Sequence, residues 1–121
     1  MEEFTAYLAE FVGTTLLLLF GCGVNANTSL KGTYGKSSGW IVTSLGWAMA
    51  VFIGVFVAAP ASGAHLNPAV TLALVVAGKF EVALVPGYIL AQLLGGILGA
   101  TLAWLQYRPH YREEEDPDTI L

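Results

Sequence analysis

The sequence predicts an all-α membrane protein with three transmembrane helices and one re-entrant half-helix. Of its 121 residues, 55% are hydrophobic and only 12% are charged, whereas soluble domains carry about 25% charged residues. The mean hydropathy is +0.66. Long charge-free windows divide the chain, and one of them contains Asn67-Pro68, a pair typical of a helix start, inside apolar sequence.

Three windows, residues 11–30, 37–78 and 82–107, contain no Lys, Arg, Asp or Glu. A transmembrane helix needs about 20 apolar residues. The first and third windows, of 20 and 26 residues, therefore each fit one span. The middle window has 42 residues, and as one straight helix it would be about twice as long as the hydrocarbon core is thick. The chain must turn inside this window.

Turn residues predict where the middle window bends. Pro60, Gly63 and Pro68 interrupt its apolar sequence. We therefore expect a full helix over residues 40–59, followed by irregular backbone over residues 60–66. Irregular backbone at membrane depth requires a cavity or a protein surface beside it.

A short helix is predicted to follow over residues 68–77. Asn67 is a preferred N-cap residue, and proline is well tolerated at the first helical position, as at Pro68. Ten residues rise about 15 Å, which is half of the hydrocarbon core. The sequence therefore predicts that this helix enters the membrane and stops near its middle.

Small residues recur at every fourth position on the second and third predicted spans. Such stripes allow membrane helices to approach closely, so we expect a packed bundle and not isolated anchors. The two stripes are Gly46, Ala50, Gly54 and Ala58, and Ala91, Gly95, Gly99 and Ala103.

Charge and composition argue against several classes of function. Five of the nine acidic residues lie in the last nine residues, and no basic cluster suited to nucleic acid is present. Cys22 is the one cysteine, which excludes an internal disulfide and a zinc cluster. We expect no cofactor, no metal and no enzyme activity. Residues 1–108 are predicted to form one membrane unit, and residues 109–121 an acidic, solvent-exposed, unstructured tail.

Three segments carry a resemblance to a known family. They are AEFVGT (residues 9–14), SGAHLNPAVT (residues 62–71) and Gln92. Together they resemble the aquaporin superfamily, the major intrinsic proteins, whose first repeat has three spans and a half-helix with an Asn-Pro-Ala box. Trp47, LKGTYGK (residues 30–36) and YRPH (residues 107–110) resemble the glycerol uptake facilitators, or aquaglyceroporins, of Gram-positive bacteria.

The resemblance covers the N-terminal half of that family alone. Its members have two inverted repeats, and the second Asn-Pro-Ala box and its filter arginine have no counterpart among these 121 residues. The resemblance implies a passive channel for glycerol, water and other small neutral solutes in the cell membrane. We expect such a channel to require a second repeat, an antiparallel copy or the family's tetramer. The alternative is a non-conducting membrane remnant.

The resemblance also implies roles for individual residues. The predicted pore-lining residues are Trp47, Val51, Gly63, Ala64, His65, Asn67, Pro68 and Ala69, and the predicted structural supports are Glu10 and Gln92. Several have simpler alternatives. Asn67 could be an N-cap only and the His65 ring could be merely buried, while Trp47 could be an interfacial anchor and Glu10 could reach the headgroups.

Membrane orientation is predicted differently by two arguments. The resemblance implies that the N-terminus and Lys79 face the cytoplasm. The positive-inside rule compares that single lysine with the four basic residues Lys31, Lys36, Arg108 and Arg112, and favours the reverse. We follow the resemblance, because its motifs are more specific than a count of five charges.

Overall fold

The computed structural model describes residues 1–120, and within them the chain is helical and contains no β-strand. Three helical segments, Glu2–Ser29, Trp40–Ser62 and Val82–Gln106, are long and apolar enough to cross a membrane. The elements are α1 (Glu2–Ser29), α2 (Trp40–Ser62), α3 (Pro68–Val76), a 3-10 turn (Val82–Leu84), α4 (Val85–Gln106), α5 (Arg108–Glu113) and α6 (Pro117–Ile120). The predicted three long helices and the short helix after Asn67 are confirmed.

Helix α1 lies between α2 and α4 and contacts both along its length, while α3 packs on α4. Glycines make these contacts close. A β-carbon on Gly54 would lie 2.8 Å from the carbonyl oxygen of Gly13, and one on Gly99 would lie 2.3 Å from that of Thr15. The predicted small-residue stripe of α4 is buried throughout, and that of α2 is buried except at Gly46. Both stripes therefore face α1, as expected for close packing.

The start of α1 lies outside its charge-free window, and the end of α2 differs from the predicted one. Helix α1 begins at Glu2, well before the charge-free window, because acidic residues are favourable in the first turn of a helix. Helix α2 continues through Pro60 to Ser62 and does not end at Ala59. A proline removes one backbone donor and its ring opposes the carbonyl of residue i−4, and α2 accommodates both at Pro60 within its last turn.

Gly63 ends α2 in place of Pro60. Its φ is 82°, in the left-handed region, and its N–H donates to the carbonyl of Ala59 at 3.0 Å. The irregular segment is thus residues 63–67, shorter than predicted.

The acidic C-terminal segment is partly helical, whereas the sequence predicted an unstructured tail. Its helices α5 and α6 follow α4 directly, and Glu114 accepts a hydrogen bond from the N–H of Lys31 at 2.7 Å. The Nδ1 of His110 lies 3.1 Å from the carbonyl oxygen of Lys31. These contacts hold the segment against the loop between α1 and α2, which charge composition alone does not predict.

Substituting Gly99 and Gly96 in parallel tests the α1–α4 contact. Gly99→Ala places a methyl group against the Thr15 carbonyl and should lower the free energy of unfolding by about 1–3 kcal/mol. Gly96→Ala is the matched control, because a β-carbon there meets nothing within 4 Å and alanine favours helix. Far-UV circular dichroism during titration with sodium dodecyl sulfate measures both. Equal stability of the two variants would contradict this packing.

Candidate pore segment at the Asn-Pro-Ala box

Residues 63–67 connect α2 to α3 through an unusual backbone. Besides Gly63, the non-glycine residues Ala64 and Leu66 have left-handed φ angles of 53° and 55°. Such conformations are uncommon for residues with a side chain and persist only where neighbouring structure enforces them. They cluster at functional sites, where neighbouring groups hold the backbone in place.

The buried carboxyl group of Glu10 holds it. Glu10 is 0% exposed, although it lies on an apolar helix. Its Oε2 accepts hydrogen bonds from the Ser62 hydroxyl at 2.6 Å and from the His65 N–H at 3.0 Å. Its Oε1 accepts from the Leu66 N–H at 2.8 Å and from Gln92 Nε2 at 2.8 Å. Hydrogen bonds to a carboxylate are stronger than neutral ones, so Glu10 joins α1, the irregular segment and α4.

The carbonyl groups of the segment are left free by this arrangement. Its N–H groups at His65 and Leu66 are directed to Glu10, and that of Ala64 to the Ser62 hydroxyl at 3.0 Å. Within residues 1–120, the carbonyl oxygens of Gly63, Ala64 and His65 accept no hydrogen bond. The segment therefore presents a row of acceptors, which can bind a hydroxyl group or water.

Asn67 starts α3 as an N-cap. Its Oδ1 accepts from the Ala69 N–H at 2.8 Å, and Pro68 occupies the first helical position. The capping prediction is confirmed. The Nδ2 of Asn67 has no partner among the described residues and its side chain is exposed. One side chain thus caps the half-length helix and still offers a hydrogen-bond donor.

Three supporting residues escaped the sequence analysis: Ser62, Thr71 and Tyr88. The Thr71 hydroxyl is 0% exposed, lies 2.9 Å from His65 Nδ1 and accepts from Gln92 Nε2 at 3.0 Å. The Tyr88 hydroxyl donates to the Ser62 carbonyl at 2.7 Å. Helical spacing in the sequence could have identified two of these three residues. Thr71 lies four residues after Asn67 and Tyr88 four before Gln92, so each shares a helix face with a predicted residue.

The His65 ring packs among aromatic side chains. Its centroid lies 4.6 Å from that of Phe80 and 4.8 Å from that of Tyr88, and those two rings are 4.7 Å apart. The Thr71 hydroxyl lies within hydrogen-bond distance of Nδ1, and the Phe80 and Tyr88 rings pack against the imidazole, so the His65 ring is held in place. Its fixed position favours the His65 carbonyl, and not its side chain, as the group available to a solute.

Trp47 and Val51 lie on α2, outside the Glu10 network. The Trp47 ring lies directly over Gly21, where a β-carbon would come within 2.2 Å of it. Its Nε1 donates to Asn25 Oδ1 at 3.0 Å. Val51, one turn further along α2, is 44% exposed. The predicted site residues thus form two groups, one around Glu10 and one at the α1–α2 contact.

An open apolar groove of about 440 Å³ borders the start of α3. It is lined by α1, α4, Asn67 and Pro68. Two buried atoms beside it, Thr14 Oγ1 and Gln92 Oε1, have no hydrogen-bond partner within residues 1–120. Buried polar atoms are usually paired, so these two are exceptions in the packing of α1 against α4, while the groove itself presents an apolar surface to whatever covers it.

Three membrane-length helices and one capped helix of less than half their length, packed on α4, define a class of polytopic membrane protein with an interrupted span. Comparison with known proteins identifies the family within that class. The family described as "Major intrinsic protein" matches residues 1–117. The chain belongs to this family.

Individual relatives agree with that assignment. A probable glycerol uptake facilitator protein of Thermotoga maritima is 50% identical over 117 residues, covering 97% of this chain and 50% of that protein. The glycerol uptake facilitator protein of Streptococcus pneumoniae is 50% identical over 112 residues, covering 93% and 48%. The solved aquaglyceroporin from Plasmodium falciparum matches with a TM-score of 0.86 and 36% identity, covering 95% of this chain and 46% of that structure. The chain spans about half the length of these relatives.

Removing the Glu10 carboxyl group tests its role in the fold. Glu10→Ala leaves two backbone N–H groups and the Gln92 amide without their acceptor, which should lower the free energy of unfolding by about 3 kcal/mol or more. Glu3→Ala, on the exposed N-terminal turn of α1, is the control. Detergent unfolding followed by circular dichroism measures both. Similar midpoints for the two variants would refute a supporting role for Glu10.

Proposed function

We propose that this chain forms half of a passive membrane channel for glycerol and other small neutral solutes, including water. The observation that carries the proposal is the row of unpartnered carbonyl groups at Gly63, Ala64 and His65, beside the capped start of α3. A solute that leaves water needs replacement hydrogen bonds along its path. The carbonyl groups supply acceptors, and Asn67 Nδ2 supplies a donor.

The wall of the path combines this polar row with apolar groups. We assign Trp47 and Val51 to the apolar side, where the carbon chain of a polyol would lie. Pro68 and Ala69 continue the wall at the start of α3, while Glu10 and Gln92 act through the segment that they hold. The positive end of the α3 dipole at Asn67 disfavours cations, so the path would carry neutral solutes.

A second half of the channel is part of the proposal. Unpartnered carbonyl groups facing lipid would cost several kcal/mol each, and the groove beside α3 leaves an apolar surface of α1 and α4 uncovered. The relatives are about twice as long as this chain. A second repeat, on the same or another polypeptide, would cover these groups, as would an antiparallel copy of this chain. We place the assembly in the cell membrane, with the N-terminus in the cytoplasm and a tetramer as its highest order.

Liposome swelling tests the proposed function. The 121-residue chain alone should give the glycerol permeability of empty vesicles when it is diluted until the copies no longer pair. The same chain fused to the part of the Thermotoga maritima relative that follows the matched region should raise it, because the fusion completes the wall. In this fusion, Trp47→Ala and Asn67→Ala should each change glycerol permeability. Thr101→Ala, on the exposed face of α4, is the control.

Two outcomes would overturn the proposal or alter it. A correctly folded fusion without glycerol permeability would overturn the proposal and favour the alternative, a membrane protein that does not conduct. Full permeability of the 121-residue chain at every dilution would remove the need for a second half.

A further inference from the structure

The C-terminal segment forms one side of a cavity at the C-terminal end of α1. The cavity has a volume of about 510 Å³. Most of its lining comes from α1, the α1–α2 loop and the start of α2, and the remaining side is formed by Tyr111, Thr119 and Ile120. These three residues belong to the segment 108–120, which contains α5 and α6 and is called the lid below.

The α1–α2 loop, residues 30–39, is the fixed side of the contact between loop and lid. The N–H of Ser37 donates to the Thr28 carbonyl at 3.0 Å, and the Thr33 hydroxyl donates to the Asn27 carbonyl at 2.6 Å. These hydrogen bonds fasten the loop to the last turns of α1. Any movement between the loop and the lid is therefore a movement of the lid.

The lid is held by polar contacts at Lys31. The N–H of Lys31 donates to Glu114 Oε2 at 2.7 Å, and its carbonyl oxygen lies 3.1 Å from His110 Nδ1. Its Nζ lies 3.7 Å from Glu115 Oε1. None of residues 108–120 is buried, and segments with few buried contacts open at a small cost in free energy. The lid can therefore open without disturbing the helix bundle.

Tyr107 is the hinge of the lid. Its φ and ψ of −102° and 13° depart from helical geometry and separate α4 from α5. Its hydroxyl accepts a hydrogen bond from Asn27 Nδ2 at 3.0 Å, which ties this point to α1. Beyond the hinge, residues 113–118 carry five acidic side chains, while the α1–α2 loop carries two lysines and no acid. Opposite charge therefore favours the closed position.

We propose that residues 108–120 are a lid that opens at Tyr107 and controls the access of water-soluble molecules to the cavity, with Lys31 as its latch. The lid goes beyond the proposed channel function, and its effect on permeation rests on that function. In the assembled channel, the open lid admits solutes at the membrane face where α1 ends.

Cys22 reports the state of the lid, because it is the one cysteine of the chain and lines the cavity. The rate of its reaction with a positively charged methanethiosulfonate reagent is measured on the 121-residue chain in micelles. A charged reagent does not enter the apolar interior of the micelle, so it reaches Cys22 through the cavity. The rate therefore measures how often the cavity is accessible from water.

Glu114→Ala opens the latch, because it removes the acceptor of the Lys31 N–H. The reaction rate of Cys22 should rise about 3- to 10-fold, the effect expected for one hydrogen bond. Glu113→Ala is the matched control. It removes the same charge from the lid, but its side chain makes no hydrogen bond or ion pair within residues 1–120. Equal rates in the two variants overturn the lid.

A charge exchange at the latch is a second test. Lys31→Glu places a negative charge beside Glu114 and Glu115, so it should also raise the rate. Lys31→Glu/Glu115→Lys restores opposite charges and should bring the rate back toward that of the parent chain. A double variant that reacts as fast as Lys31→Glu contradicts the latch.

Permeation through the fusion protein tests the consequence for transport. In a conducting fusion, Glu114→Ala should give a higher glycerol permeability than Glu113→Ala. Equal permeabilities overturn the control of solute entry by the lid. If the fusion fails to conduct while the Cys22 rates differ as expected, the lid stands and the proposed channel function falls.

Discussion

The buried carboxyl group of Glu10 is the constraint on which the rest of the structure depends. It accepts hydrogen bonds from the backbone N–H groups of His65 and Leu66 and from the amide of Gln92, and so it links α1, the irregular segment and α4. In a trans peptide unit the N–H and the carbonyl point in opposite directions, so a unit whose N–H donates to Glu10 has its carbonyl directed away from Glu10. The free carbonyl row is therefore a consequence of satisfying the donors, and the left-handed backbone at Ala64 and Leu66 is the conformation that permits it.

Close helix packing is a precondition for that network. Gly13, three residues after Glu10, lies so near α2 that a β-carbon would reach Leu66 and Ala58 within 3 Å. Gly95 approaches the Phe11 carbonyl in the same way on the α4 side. A side chain at either glycine would push a neighbouring helix outward and lengthen the hydrogen bonds of Glu10. The glycines of the helix contacts and the buried Glu10 therefore depend on each other: close packing of the helices is what keeps the hydrogen bonds of Glu10 short.

Periodic and local features of the fold could be predicted from sequence, while its long-range partners could not. Charge-free windows gave the three long helices, and Asn67-Pro68 gave the start of α3, because both depend on residues close in the chain. The end of α2 was missed because the last turn of the helix accommodates Pro60, whereas the left-handed backbone at Gly63 ends the helix. Helical spacing places Thr71 and Tyr88 on the faces of Asn67 and Gln92, but it does not predict the partners that they contact across 21 and 26 residues.

Gln92 belongs both to the hydrogen-bond network of Glu10 and to the lining of the uncovered groove beside α3. Its Nε2 is shared between Glu10 and Thr71, so it belongs to the network that shapes the carbonyl row. Its Oε1 is buried, has no partner in the described chain and borders the groove next to Asn67. An element packed on the groove would lie against Gln92, which lines it, and would so limit the movement of the side chain that binds Glu10 and Thr71. Covering the groove would then do more than close a wall: it would stabilise the geometry of the acceptors that face the solute.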